Sequence, residues 1–187
     1  AASNVTGTLT DVARVTQLLK AAGAKAVWDY AGGAPYLPID MGLGMDAVVT
    51  SPHKFIGGPG SSGVMILRRD AVVTARPSLP GGGTVRFVSP DSHDYSLSLE
   101  SREEGGTPNV TGDIRAALVF LTKAAVGQAA IDARNAEWLA MGMARLRAHP
   151  RIELLGNLDA ARLPFFSFRI RDGQGGFIHQ QLATRML

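Results

Sequence analysis

The stretch Asp46-Ala47-Val48-Val49-Thr50-Ser51-Pro52-His53-Lys54 constrains this chain most. A short apolar run gives way there to Ser-Pro-His-Lys, and Gly57-Gly58-Pro59-Gly60-Ser61-Ser62-Gly63 follows directly. Such a run, bounded by turn residues, reads as a buried strand. Upstream, Ala26-Val27-Trp28-Asp29-Tyr30-Ala31 is a second apolar run, closed by Gly32-Gly33-Ala34-Pro35. Before it, Thr10 to Ala22 reads as a helix, with Thr10 as N-cap and Asp11 in the first turn. Val12, Val15, Leu18 and Leu19 form its apolar face, and Gly23 marks its end. Ala24 to Tyr30, Asp46 to Thr50 and Gly63 to Arg68 are then strands. The last is expected antiparallel to its predecessor, because the glycine turn leaves no room for a crossover helix. The pattern predicts an α/β fold, a mixed and mostly parallel sheet covered by helices on both faces.

The second half reads as helix followed by a new sheet. Pro77 to Ser92 is loop-like, with Gly81, Gly82 and Gly83 its most flexible part. From Thr111 on, Ile114, Leu118, Leu121 and Ala125 recur at helical spacing, and Gly127 bends or interrupts the run. A second helix continues through Ile131, Trp138, Leu139 and Leu146 to Ala148 and stops at Pro150. Its Met141 and Met143 read as core filler. Leu163 to Ile170 begins the sheet of a smaller α+β C-terminal portion, and Gln174 to Gly176 is a turn.

Chemistry concentrates at the ends of the two apolar runs. A lysine at a strand end can be desolvated, its pKa lowered and its position fixed by the sheet. Such lysines form Schiff bases with carbonyl compounds, of which pyridoxal 5'-phosphate is the commonest cofactor. Ser51 and His53 flank Lys54 and can hold a phosphate. Asp29, an acid at the end of a buried strand, is costly unless paired. The pyridinium nitrogen of that cofactor is such a partner. Each residue also has a plainer reading, Lys54 in an exposed basic turn and Asp29 capping its own turn. The pair together, each at the end of its own strand, argues against both.

These segments resemble the class V aminotransferase group of fold-type I pyridoxal-phosphate enzymes, which includes the cysteine desulfurases. Ala2-Ser3-Asn4-Val5-Thr6-Gly7-Thr8 is similar to the family's Ser-Asn-x-x-Gly-Thr stretch, whose Asn lies beside the cofactor ring. Ser51, His53 and Lys54 match Ser-x-His-Lys, and Glu103-Glu104-Gly105-Gly106-Thr107-Pro108-Asn109 matches a Glu-x-Gly-Thr-Pro-Asn loop. The resemblance covers about residues 2–170. It implies Lys54 as the Schiff-base lysine, Asp29 as the pyridinium partner, and Asn4, Ser51, His53 and Thr107 as cofactor contacts. It also implies a homodimer, in which the Thr107 loop and the run Gly81-Gly82-Gly83 reach a neighbouring subunit's site. Residues 1–110 are expected to belong to the cofactor-binding large domain, 111–150 to connecting helices, and 151–187 to the start of the small domain. Gly32 stands where many relatives carry a Gln on the ring hydroxyl, and Tyr30 where a Gly is usual. The ring hydroxyl is then expected to turn to Asn4 or to backbone. The family's N-terminal third and its C-terminal, carboxylate-binding Arg are expected to lie outside these residues.

Composition narrows the remaining classes. With 187 residues, 45% hydrophobic and 6% aromatic, the chain can build a core of its own. Cysteine is absent, which fits a cytoplasmic chain and excludes a cysteine-based metal site within it. No apolar stretch approaches the ~20 residues that span a bilayer. The net charge of +3 is spread rather than clustered, so nucleic acid is not an expected partner. His93, His149 and His179 lack metal-ligand spacing. Glu103 and Glu104 are adjacent, so one is expected to be solvated. The glycines after Lys54 do not form a P-loop, since no Gly-Lys-Ser/Thr follows them. The resemblance leads to an enzyme that transaminates a small amino acid, with keto acids as further substrates. A cysteine desulfurase or selenocysteine lyase is the alternative, and a fold that binds the cofactor without turnover is the third reading.

Overall fold

A computed structural model describes residues 1–186. Its first unit is a three-stranded sheet in the order β1-β2-β3, from β1 (Val27–Asp29), β2 (Ala47–Thr50) and β3 (Val64–Leu67). β1 and β2 run parallel, with Asp29 opposite Val49, and β3 returns antiparallel, as its short glycine connection requires. Helix α1 (Val12–Ala21) lies on the Trp28 side of the sheet. There the buried indole N–H donates to Thr16 Oγ1 at 2.9 Å, so neither polar group is stranded in the core. Trp28, Val48, Met45, Tyr30 and Phe55 form the core, with Val12, Val15 and Leu19 packed against it.

The helix start differs from the sequence reading. Asp11, not Thr10, is the N-cap, its carboxylate accepting from the Arg14 amide at 3.0 Å. Thr10 instead belongs to the preceding turn, its amide donating to Ala1 O at 3.0 Å. Leu18 is 61% exposed and Thr16 takes the buried position. Gly23, with φ of 71°, ends the helix where a side chain would be strained. The expectation of helices on both faces is not met among the described residues. Val27 is 61% and Met65 58% exposed on the face opposite Trp28.

The segment read as loop, Pro77 to Ser92, contains the first strand and the turn of a hairpin. β4 (Val85–Val88) and β5 (His93–Tyr95) pair antiparallel with a register shift between Val85 and Phe87. Its strands are only four and three residues long, and Phe87 and Val88 remain exposed. A short helix α2 (Leu99–Glu103), capped by Ser98, leads into the long helix α3 (Val110–Val126). Gly127, at φ 85°, separates α3 from α4 (Gln128–Ala148), and the two axes meet at 79°. No single helix among the described residues is long and apolar enough to cross a membrane.

The helical periodicity is right, and the stripe it picks out faces outward. Ile114, Leu118 and Leu121 are 57%, 56% and 66% exposed, whereas Gly112, Ala116 and Val119 face the core. This inward face packs on the glycine stretch and the lysine turn, where Ser62 N donates to Gly112 O at 3.3 Å and Phe120 meets Phe55 edge to face. Met141 is likewise exposed rather than core filler, and α4 buries no residue fully. Beyond α4, β6 (Ile152–Leu154) pairs antiparallel with β7 (Phe168–Ile170), and α5 (Gln180–Met186) follows. The β6 strand is short and was not apparent from the sequence. This C-terminal segment is tied to the first residues. Buried Arg162 donates to Thr6 O and to Phe165 O, and Leu163 N donates to Gly7 O at 2.9 Å.

Candidate active site

β1 and β2 deliver Asp29 and the Ser51–Lys54 turn to the same edge of the sheet, because parallel strands end on one side. Asp29 is exposed, and its Oδ1 accepts from the Ala31 amide at 2.6 Å. The plainer reading of this acid therefore describes its contacts within the chain. Beyond it Ala34 N donates to Tyr30 O at 2.7 Å and Leu37 N to Gly33 O at 2.8 Å, winding the chain into a compact turn.

After β2, Ser51 precedes the 3-10 turn Pro52–Lys54, closed by Lys54 N to Ser51 O and Phe55 N to Pro52 O, each 3.0 Å. The Ser51 hydroxyl makes no capping bond. His53 and Lys54 are exposed, so the desolvation expected at Lys54 is not supplied by the described residues. Gly58 is obligatory here, since a Cβ on it would collide with the Pro52 carbonyl. The glycine stretch thus folds back on the lysine turn.

Asn4 joins this group. It sits in a turn in which Ser3 Oγ accepts from the Thr6 amide at 3.1 Å. A Cβ placed on Gly32 would lie 3.6 Å from Asn4 Cβ, so the Asn4 turn and the Asp29 turn touch. Thr107 does not join. Its neighbours Gly105 and Gly106 line a groove with Gly81, Gly82 and Gly83, and Gly106 N donates to Gly82 O at 2.7 Å. That groove lies apart from the cleft lined by Lys54. Of the adjacent glutamates, Glu103 accepts from the Ser78 amide at 2.9 Å, which lowers its pKa, and Glu104 is the solvated one. No group of His, Asp or Glu suited to a metal occurs among the described residues.

Lys54 borders a cleft of about 490 Å³ with Tyr36, Phe55, Ile56, Lys123 and Trp138. Lys123 was not singled out in the sequence, where it is one of two cations on α3, with Arg115. Burial lowers its pKa, with Asp132 acting in the opposite sense.

The arrangement fits a phosphate-bearing aldehyde. A primary amine, an imidazole and a hydroxyl occupy one turn, beside the buried Thr50 Oγ1, which has no partner among the described residues. A carboxylate and an amide side chain come from the two adjoining turns. The family model described as Aminotransferase class-V matches residues 1–186. The chain belongs to the class-V aminotransferase family. A probable cysteine desulfurase of Mycobacterium leprae is 31% identical over 155 residues, which are 82% of this chain and 37% of that protein. One from Aeropyrum pernix is 38% identical over 112 residues, 58% of this chain and 27% of that protein. Among solved structures, the cysteine desulfurase CsdA of Escherichia coli superposes with a TM-score of 0.84 at 27% identity. The match covers 98% of this chain and 44% of that one. The chain therefore spans less than half the length of these class-V relatives. The mixed α/β fold expected from the sequence is the one these structures have.

Proposed function

We propose that this chain supplies the lysine-bearing part of a pyridoxal 5'-phosphate-dependent enzyme that acts on a small amino acid. The observation that carries this reading is the convergence of three turns, holding Asn4, Asp29 and Ser51–Lys54, at one end of a parallel strand pair. When bound, pyridoxal phosphate would withdraw electrons from the α-carbon of an attached amino acid. Ser51 and His53 would hold its phosphate and Asp29 its ring nitrogen. Lys54 Nζ would bind the aldehyde carbon at rest and, once released, take the α-proton as general base. Asn4, which lies beside Gly32, or the backbone would serve the ring hydroxyl.

The relatives' names favour the desulfurase branch, with cysteine as substrate. Transamination is the second reading, favoured by the family to which the chain belongs. A sulfur-accepting cysteine is not among the 187 residues. We further propose a homodimer, supported by the outward apolar stripe of α3 and by the separation of the Thr107 groove from Lys54.

The test is made on the full-length protein. Pyridoxal phosphate is added, its absorbance is recorded, and borohydride reduction is followed by peptide mapping. A label on Lys54 that disappears in Lys54→Ala, with turnover falling by about 10³-fold or more, is the expected result. A Lys54→Ala variant that retains activity overturns the reading. Sulfide and alanine from cysteine select desulfuration, and a keto acid with the aminated cofactor selects transamination.

A further inference from the structure

Helix α3 and the start of α4 turn side-chain donors toward backbone carbonyls of the loops that leave the sheet at the candidate site. Lys123 Nζ donates to Ala34 O at 2.7 Å and to Leu37 O at 2.5 Å. Gln128 Nε2 donates to Tyr36 O at 2.6 Å, and Arg115 donates to Pro59 O. Ala34, Tyr36 and Leu37 close the turn that follows Asp29. The Lys123 ammonium also stands over the ring of Phe55, 6.0 Å from its centroid, and Phe55 adjoins Lys54. One cation thus holds the Asp29 turn by hydrogen bonds and faces the residue that closes the Lys54 turn.

This placement carries a cost that packing alone would not require. The ammonium is half-buried and its pKa is lowered by lost hydration. An apolar side chain of similar length would fill the same space without that penalty. What only a multidentate donor can do is hold carbonyls of one loop while bearing on the other. Past the pairing of Asp29 with Val49, Tyr30 N donates to Val49 O at 2.8 Å. After that bond the two turns separate.

We propose that Lys123 is a positioning residue: it sets the separation between the Asp29 turn and the Lys54 turn, and through it the affinity of the site for pyridoxal phosphate. The affinity rests on the function proposed above; the holding of the turn does not. Lys123→Met and Lys123→Arg in the full-length protein separate the two. Hydrogen exchange of residues 30–38 is measured in cofactor-free protein, and pyridoxal phosphate is titrated by absorbance.

Lys123→Met is expected to speed exchange across 30–38 by about tenfold, the equivalent of one or two carbonyl hydrogen bonds. The exchange of β2 should stay as it is. Cofactor affinity should fall by a similar factor, with kcat at saturating cofactor changed less. Lys123→Arg, which keeps charge and donors, should fall between wild type and Met. A folded Lys123→Met with exchange and affinity within about twofold of wild type overturns the proposal. If the Met variant does not fold, Gln128→Ala and Lys123→Arg decide it, and no change in either variant is the contrary result. A wild-type protein that binds no pyridoxal phosphate overturns the functional reading and the affinity half with it. The exchange data still decide whether Lys123 holds the turn.

Discussion

Single residues here are explained by where their charges go. Asp46 is buried, yet it accepts two bonds from Lys20 Nζ at 2.9 and 2.8 Å and one from the Ala26 amide at 2.7 Å. Lys25 stands 3.7 Å away. The Lys20 hydrogen bond, and then the Ala26 amide, hold the Asp46 carboxyl below its ordinary value despite burial. Because the folded pKa is the lower one, the ionised carboxylate stabilises the fold above the unfolded value, about 4. That stability is lost as the pH falls through the folded value. Asp46→Asn should therefore lower the urea midpoint fully at pH 7, and the gap from wild type should close as the solution is acidified below about 4. A gap that is constant from neutral to acid pH would show that the charge is not what matters. The sequence placed Asp46 at a strand start without identifying its role. Lys20 and Asp46 are far apart in the chain, and only the packing of α1 on the sheet brings them together.

At the scale of elements, glycines decide what the helices can do. Gly127 terminates α3, its amide donating to Lys123 O at 3.1 Å, and starts α4 from φ 85° and ψ 139°. An L residue in that region is strained by about 1–3 kcal/mol. No neighbour blocks a Cβ there, so Gly127→Ala tests backbone strain alone. We expect it to destabilise the chain by about that amount in urea unfolding. A change within about 0.5 kcal/mol would show that the elbow relaxes without strain. The elbow also places Gln128 against Tyr36 O, so its angle bears on the Asp29 turn. Helix spacing, the glycine interruption and the stop at Pro150 were all legible, because they are local. The β4–β5 hairpin was not read, although Ser89-Pro90-Asp91-Ser92 is a turn signal, because the strands on either side are only four and three residues long and largely exposed.

For the whole molecule, the exposed face of α3 has the largest consequence. Ile114, Leu118 and Leu121 form an apolar stripe on the outer side of α3. If this stripe is a subunit contact, Leu118→Glu in the full-length protein should lower the mass found by light scattering while the unfolding midpoint of the separated subunit is kept. An unchanged mass, or lost stability with no change of mass, would remove α3 from the interface. Sequence by itself determined the parts of this protein that depend on neighbours along the chain. The strand ends, the lysine turn, the glycine fold-back and the family motifs are short-range patterns, set by backbone sterics and local periodicity. Tertiary structure alone decided that Asn4 reaches Gly32, that Asp29 stays exposed, that Thr107 lies apart, and that Lys123 meets the carbonyls of Ala34 and Leu37. Those outcomes depend on which face of each element meets the core. That choice follows from competing burial across distant segments, which on α3 turned Gly112, Ala116 and Val119 inward and left Leu118 outside.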